Sequence, residues 1–401
     1  MNRSLGRGLA FLPLLALGVA CSAGDETKAS EPSAVQSDAI RRDDDGRFEH
    51  IFYIMMENHA TDEIVGNAAD APYLTELAAK YAFASDYFGV THPSLPNYLA
   101  AISGSTQGIF DDCKAGADVT CAPEEFVPDS GDNTDEASLT DAETTTASTT
   151  AHWFDGKNLV DQLEAHGLSW KAYMQSIPAT ASTVEYAPVD DVGGVETPRK
   201  LYAQKHDPFM YFSDIRNSAR RMQQIVGFDG FAADLAHDRV PNFVWISPDQ
   251  CHDMHGVSAA NAAAVGIPDC ATPDSGLDHK VIALGDAFVK DTVQKIMHSP
   301  AWHEKSAIVI AWDEDDYAGF AGCCQSPVGA NGVTLGGANA PAIVITSQGA
   351  RPLQVSVPFN HYSLLGTIEK LWHLGCLGNA CKIPDSGLMT ALFDSDDHSD
   401  H

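Results

Sequence analysis

Acidic, amide and imidazole side chains recur directly after apolar runs in this chain. Glu57 and Asn58 follow "HIFYIMM"; Asp249, His252, Asp253 and His255 fall in "PDQCHDMHG" after "NFVWIS"; Asp313 to Asp316 follow "SAIVIAW". These are the donor types that hold a divalent cation or contact a phosphate. Strand-end loops are also polar for plain turn-forming reasons, so one such loop decides nothing. Three in one chain move the balance towards a metal or phosphate site. Asp313 and Glu314 add a physical argument. Neighbours on a regular strand point to opposite faces, so one or both must lie past the strand end. Their repulsion calls for a cation between them, with a solvated acidic loop as the alternative. Asp315 and Asp316 read as solvent-facing or turn residues.

A second stretch, "THPSLPNYLAAISGS" at 91–105, sets Ser94 between two prolines. Pro96 and Asn97 suit a helix start, "YLAAIS" a short apolar helix, and Gly104 its stop. Ser94 then lies just before a helix N-terminus, where unpaired N–H groups and the macrodipole favour an anion. A serine hydroxyl needs a base or a metal to become a nucleophile. His92 stands two residues away, on the same side of an extended backbone. The alternative makes Ser94 a helix cap and His92 a loop residue.

The elements that must position these residues are legible as well. Residues 50–56, 242–247, 306–312 and 341–347 are short runs rich in Ile, Val and aromatics with little alternation, as expected of parallel strands covered on both faces. Helix-like stretches at 71–82, 156–167, 278–299 and 362–375 lie between them. The pattern predicts an α/β fold: a doubly wound, mostly parallel sheet sandwiched by helices, in one domain over 48–395. Ligands of open α/β sheets bind outside the carboxyl ends of the strands, where the acidic residues fall. An acidic, Thr-rich stretch at about 129–150 lacks periodicity and reads as an exposed insertion.

The chain has 401 residues, with 24 Lys+Arg against 55 Asp+Glu and a formal charge of -31. That charge repels nucleic acid and anionic membrane surfaces, so no nucleic-acid partner is expected. A phosphorylated substrate needs a local positive centre, which a bound cation supplies. Residues 1–20 carry Arg3 and Arg7 before a short apolar run and read as an export signal. Cys21 after small residues suggests lipoprotein processing, followed by a polar tether over 21–47. The expected location is the outer surface or periplasm as a lipoprotein, or secretion, with membrane contact only through that anchor. Eight cysteines remain beyond Cys21. Their even number suits disulfides, with connectivity open, and no C-x-x-C pair supports a zinc site.

Together, "IMMENHATDEIVGN", "THPSLPNYLAAISGS", "SPDQCHDMHG", "AWDEDD" and "NHYSLLGTIEKLW" resemble the secreted phosphoesterase family of the alkaline phosphatase superfamily. That family holds acid phosphatases, phosphatidylinositol phosphatases and phospholipases C. The resemblance implies an alkaline-phosphatase-like fold and a metal-assisted phosphoenzyme mechanism. It makes Ser94 the nucleophile and Asn97 a holder of a phosphate oxygen. Glu57, Asn58, Asp313 and Glu314 become ligands of a divalent ion (Ca²⁺, Mg²⁺, Mn²⁺ or Zn²⁺). His252 and Asp253 become substrate contacts, with His252 where the family more often has Asn. His92, His255 and His361 become candidates for the proton donor or for phosphate contacts. The implied activity is that of a phosphomonoesterase of acid phosphatase type acting on a small phosphorylated substrate. The alternatives are a phospholipase C acting on a phospholipid head group and a non-catalytic metal-binding lipoprotein.

Overall fold

The computed structural model of the protein describes residues 47–124 and 139–394, apart from 274, 304, 318 and 331. The export signal, Cys21, nearly all of the tether, residues 129–138 of the acidic stretch and residue 395 lie outside the described residues.

The strands are β1 (His50–Met56), β2 (Ala82–Phe88), β3 (Trp170–Met174), β4 (Tyr186–Val192), β5 (Val195–Ala203), β6 (Ile225–Gly227), β7 (Phe243–Ser247), β8 (Ser306–Trp312), β9 (Asn339–Thr346), β10 (Leu353–Val355) and β11 (Phe359–Asn360). Nine of them form one sheet in the order β10-β2-β9-β8-β1-β7-β3-β6, with β11 also paired to β2. β1 runs parallel to both β7 and β8, placing Tyr53 opposite Trp245 on one side and Val309 on the other. β9 departs from the parallel expectation, because it pairs antiparallel with both β8 and β2. β4 and β5 make a separate antiparallel hairpin that the apolar-run criterion missed, since most of β4 is exposed.

The helices used below are α1 (Pro72–Lys80), α2 (Ser94–Ser103), α3 (Asp141–Thr149), α4 (Leu159–Ala165), α5 (His279–Met297) and α6 (His361–Leu371). They cover both faces of the sheet. Along β1, Ile51, Tyr53 and Met55 pack with Leu95, Tyr98, Leu99 and Ile102 of α2 and with Leu364, Leu365 and Ile368 of α6. The alternate residues Phe52, Ile54 and Met56 pack with Leu74 and Leu77 of α1 and with Val281, Val289 and Val293 of α5. This period-2 split of an all-apolar strand explains why no alternation shows in its sequence. Each such fully buried side chain is worth roughly 1.5–3 kcal/mol of transfer free energy.

Local chemistry sets the helix ends. α1 stops at Lys80, short of the expected 82, and the chain enters β2 at once. Its first amides, Tyr73 and Leu74, donate to the Asp286 carboxylate of α5 at 3.2 and 2.8 Å. Asn158 caps α4 and Asn360 caps α6. Part of the supposed acidic insertion is helical: Thr140 and Glu143 form a capping box that starts α3. Ala147 of that helix is buried with Phe110 and Leu335. The T-x-x-E start signal was present in a stretch otherwise read by composition alone.

α2 ends at Gly104 in a left-handed conformation, φ 70°. A Cβ there would lie 2.3 Å from the Leu377 carbonyl oxygen. Gly104→Ala therefore combines an unfavourable φ with a backbone clash beneath the Ser94 helix. It should cost about 2 kcal/mol or more, read as a lower urea midpoint with an unchanged m-value.

Four disulfides join Cys113–Cys121, Cys251–Cys270, Cys323–Cys324 and Cys376–Cys381. Among the described residues no helix is long and apolar enough to cross a membrane.

Candidate active site

β7 and β8 flank β1, so the loops leaving their carboxyl ends are neighbours. The sheet's bonding continues one step past the strands: Glu57 N–H donates to the Asp253 carbonyl (2.8 Å) and Asp313 N–H to the Met56 carbonyl (3.0 Å). Asp313 and Glu314 both lie beyond the last residue of β8 and are fully buried. Asn58 N–H donates to Asp313 Oδ1 at 3.2 Å. Asp315, read as solvent-facing, is buried instead; it accepts the Tyr317 N–H and approaches His92 Nε2 to 3.5 Å. Asp316 is exposed, as expected.

Ser94 opens α2 as its first residue, one step further into the helix than the sequence suggested. Its hydroxyl donates to Glu57 Oε2 at 2.9 Å and lies 3.3 Å from Glu314 Oε1. Two residues with no motif to announce them complete the surroundings. Lys205 Nζ donates to Ser94 Oγ at 3.3 Å and to Asp112 Oδ2 at 2.6 Å. Burial opposes the charge of this ammonium, but Asp112 and Glu57 outweigh it and hold its proton affinity well above the usual lysine range. His206 places Nε2 3.1 Å from Glu57 Oε1 and Nδ1 3.2 Å from Asp253 Oδ2. Its ring stacks on Tyr98 of α2 at 5.2 Å. Lys205 and His206 sit in a short turn after β5, fixed where Ser247 Oγ of β7 donates to the His206 carbonyl. The one sequence hint was two adjacent basic residues in a chain with only 24 Lys+Arg.

The predicted site residues separate into groups. Glu57 and Asp253 converge with His206, and Asp313, which accepts the Asn58 N–H, is near enough to repel Glu57 and Asp253. Glu57 Oε1, Asn58 Oδ1, Asp253 Oδ2, Asp313 Oδ2 and His206 Nε2 are all buried and make no well-aligned hydrogen bond, although the His206 nitrogens approach Glu57 Oε1 and Asp253 Oδ2. The ligand atoms of Glu57, His206 and Asp253 lie within 4.8 Å of one another. Buried lone pairs left unsatisfied in one place are costly unless a cation takes them. Burial pushes Glu57 up to about 7 and raises Asp253 and Asp313 well above the carboxylate range, with Glu57 adding like-charge repulsion to both. The donor types fit a divalent ion, and Asp253, expected among the substrate contacts, stands beside Glu57 and His206.

Glu314 is engaged differently. His92 Nδ1 lies 2.6 Å from its Oε2, and Asn97 Nδ2 lies 3.5 Å away. His92 Nε2 donates to the Gly319 carbonyl, and the ring stacks on Tyr317 at 4.1 Å. Burial pushes the imidazole down and the Glu314 carboxyl up, which favours a neutral pair. In this arrangement His92 braces Glu314 and makes no contact with Ser94. Asn97 likewise works on the loop: its Oδ1 accepts the N–H groups of Val90 and Thr91, and its Nδ2 donates to the carbonyls of Thr91 and Pro93.

His361 is a brace too. Its Nε2 donates to the Asp313 carbonyl (2.7 Å), so Nδ1 must accept from the Tyr87 hydroxyl (2.8 Å), leaving no ring nitrogen for chemistry. Burial lowers it to about 4. His252 turns away from the site, bonded to Asp249 Oδ1 and packed against Phe288. His255 alone of the candidate histidines faces the cleft next to Ser94. Nδ1 donates to the Gly256 carbonyl, and Nε2 stands 3.4 Å from Lys205 Nζ. Burial and Lys205 lower it to about 4. The cleft beyond, of about 350 Å³, is lined by Asp112, Tyr186, Lys200, Lys205, Gln250 and His255 among others.

The chain as a whole has relatives among known proteins. The model of the Phosphoesterase family matches residues 67–375, which include every site residue above except Glu57 and Asn58. The chain belongs to that family. It is similar to a probable acid phosphatase of Kluyveromyces lactis, 23% identical over 352 residues that cover 87% of this chain and 63% of that protein. The chain thus spans less than two thirds of that relative's length. A phosphatidylinositol-3-phosphatase of Mycobacterium tuberculosis is 25% identical over 339 residues, 84% of this chain and 81% of that one. Among solved structures, a protein in the alkaline phosphatase superfamily from Vibrio parahaemolyticus aligns at a TM-score of 0.44 and 11% identity, over 82% of this chain and 67% of that one.

Proposed function

We propose that the protein is an exported, metal-dependent phosphomonoesterase of acid phosphatase type, working through a phosphoserine at Ser94. One observation carries the reading: the Ser94 hydroxyl sits in the first turn of α2 between the Glu57 carboxylate and the Lys205 ammonium. Glu57, Asn58, Asp253, Asp313 and His206 would hold the divalent ion. When bound, the ion stabilises charge on the phosphoryl oxygens and favours the serine alkoxide. Oxygen donors suit Ca²⁺, Mg²⁺ or Mn²⁺, and the His206 imidazole admits Zn²⁺.

The chain's own groups do the rest. Glu57 Oε2, which already accepts the Ser94 hydroxyl, is placed to take its proton. Oγ then attacks phosphorus, the Oγ–P bond forms, and the bond to the leaving alcohol breaks. Lys205 offsets the charge of a monoester dianion. The departing oxygen takes its proton from water in the cleft that His255 borders, because the neutral His255 ring already commits its Nδ1 proton to the Gly256 carbonyl. Water then cleaves the phosphoserine and releases phosphate. Support for export comes from residues 1–21 and from four disulfides, which persist in oxidising compartments.

The test compares substrates. p-Nitrophenyl phosphate should be turned over in preference to bis(p-nitrophenyl) phosphate and phosphatidylcholine, with loss of activity in EDTA and recovery with one divalent ion. Preference for the diester or the lipid would instead make the protein a phospholipase C.

A further inference from the structure

Two donors flank the position that a phosphoryl group on Ser94 must occupy. One is Lys205 Nζ, already touching Ser94 Oγ. The other is the Leu95 N–H, the amide directly after the nucleophile in the first turn of α2. Helix N-termini present such amides to anions, and Pro96 next to it has none to offer. A single carboxylate links both donors: Asp112 Oδ1 accepts the Leu95 N–H at 2.9 Å and Oδ2 accepts Lys205 Nζ at 2.6 Å. Its two oxygens bridge them as two oxygens of a phosphate would.

The backbone under Asp112 is pinned. Asp111 Oδ1 accepts the Cys113 N–H (2.9 Å) and His152 Nε2 (2.7 Å), and the Tyr211 hydroxyl donates to the Cys113 carbonyl (2.9 Å). The Cys113–Cys121 disulfide closes the loop that follows. Asp112's side chain is 20% exposed and borders the cleft, so it can swing outwards while its backbone stays in place.

We propose that Asp112 is a built-in competitor of phosphate, occupying the anion position beside Ser94 and yielding it only while a phosphoryl group is bound. Substrate must displace this carboxylate, and its return to Lys205 and Leu95 helps to expel the product. The inference deepens the phosphomonoesterase reading and rests on it. It makes Asp112 a determinant of affinity and product release rather than a catalytic residue.

Orthophosphate binding to the metal-loaded Ser94→Ala protein, followed by calorimetry, tests it without turnover. Asp112→Asn and Asp112→Ala should each tighten phosphate binding by on the order of tenfold, the scale of one like charge removed at contact distance. With Ser94 intact, the same substitutions should lower the inhibition constant of phosphate and KM together. Lys205→Met should abolish most of the gain, because the freed donor is then missing. Unchanged or weaker phosphate binding in both Asp112 variants would overturn the proposal and leave Asp112 as a brace for Lys205. Failure of the underlying reading is seen elsewhere, as absent p-nitrophenyl phosphate turnover in the unsubstituted protein.

Discussion

Ser94→Ala should lower phosphomonoester turnover by on the order of 10³-fold or more while leaving the fold intact. The hydroxyl is buried and donates to Glu57 Oε2. Its removal deletes the hydrogen bond to Glu57 and the longer contacts with Glu314 and Lys205, together with a small volume, and α2 keeps its packing. The folding cost is therefore about 1–3 kcal/mol, within reach of a urea titration and separable by it from lost activity. KM should change much less than kcat, because on the proposed reading the substrate's phosphoryl group would be held by Lys205, the Leu95 amide and the ion rather than by Oγ. A rapid-quench trial with a labelled phosphate ester adds a second readout: label should remain on the unsubstituted protein at low pH and be absent from the variant. Comparable turnover in both proteins would remove Ser94 from the mechanism.

The second large effect concerns Asp313. Burial raises Glu57, Asp253, Asp313 and Glu314 together, so the metal-free folded protein binds protons there that the unfolded chain releases. Raised carboxylate values in the folded state mean that stability is greatest in acid and falls as pH rises. For Glu57 the window runs from 4.5 to about 7. In EDTA, melting temperature should thus fall between pH 5 and pH 8. A saturating divalent ion should erase that slope, adding about 2.7 kcal/mol at one hundred times its Kd. Asp313→Asn should raise the metal-free melting temperature at pH 8, since one buried charge is gone. The same substitution should weaken ion binding by on the order of 100-fold or more, since losing a ligand itself should cost at least as much as losing a ligand's supporting partner. Identical melting curves with and without the ion would mean that the cluster is not a cation site.

Much of this site was legible because its chemistry sits where strands end. Glu57, Asp253 and Asp313 each follow an apolar run that the hydrophobic effect alone forces into the sheet, so their meeting follows from strand adjacency. Asn360 shows the limit of the same logic: a helix start was visible near residue 361, and proximity to the site followed. The role of His361 did not, because both of its ring nitrogens are taken by groups 274 and 48 residues away in sequence. Lys205, His206 and Asp112 were invisible for a related reason. They lie on turns between short or exposed elements, and only the docking of those turns against β7 and α2 brings them to Ser94. The reversed direction of β9 was equally hidden, since a strand covered on both faces reads the same in either direction.

The order of strands also governs when the ion site can exist. Its donors come from residues near 57, 206, 253 and 313, and β1 gains its two neighbours only after β7 and then β8 have been placed. Bringing His50 beside Ser306 closes a loop of more than two hundred residues, the kind of late, entropically costly contact that slows folding. A growing chain cut short before β8 carries Ser94, Glu57 and His206 yet has no complete pocket for a cation. On the proposed reading, metal capture would reward only molecules in which both long crossovers have closed, and so would act on the finished sheet alone.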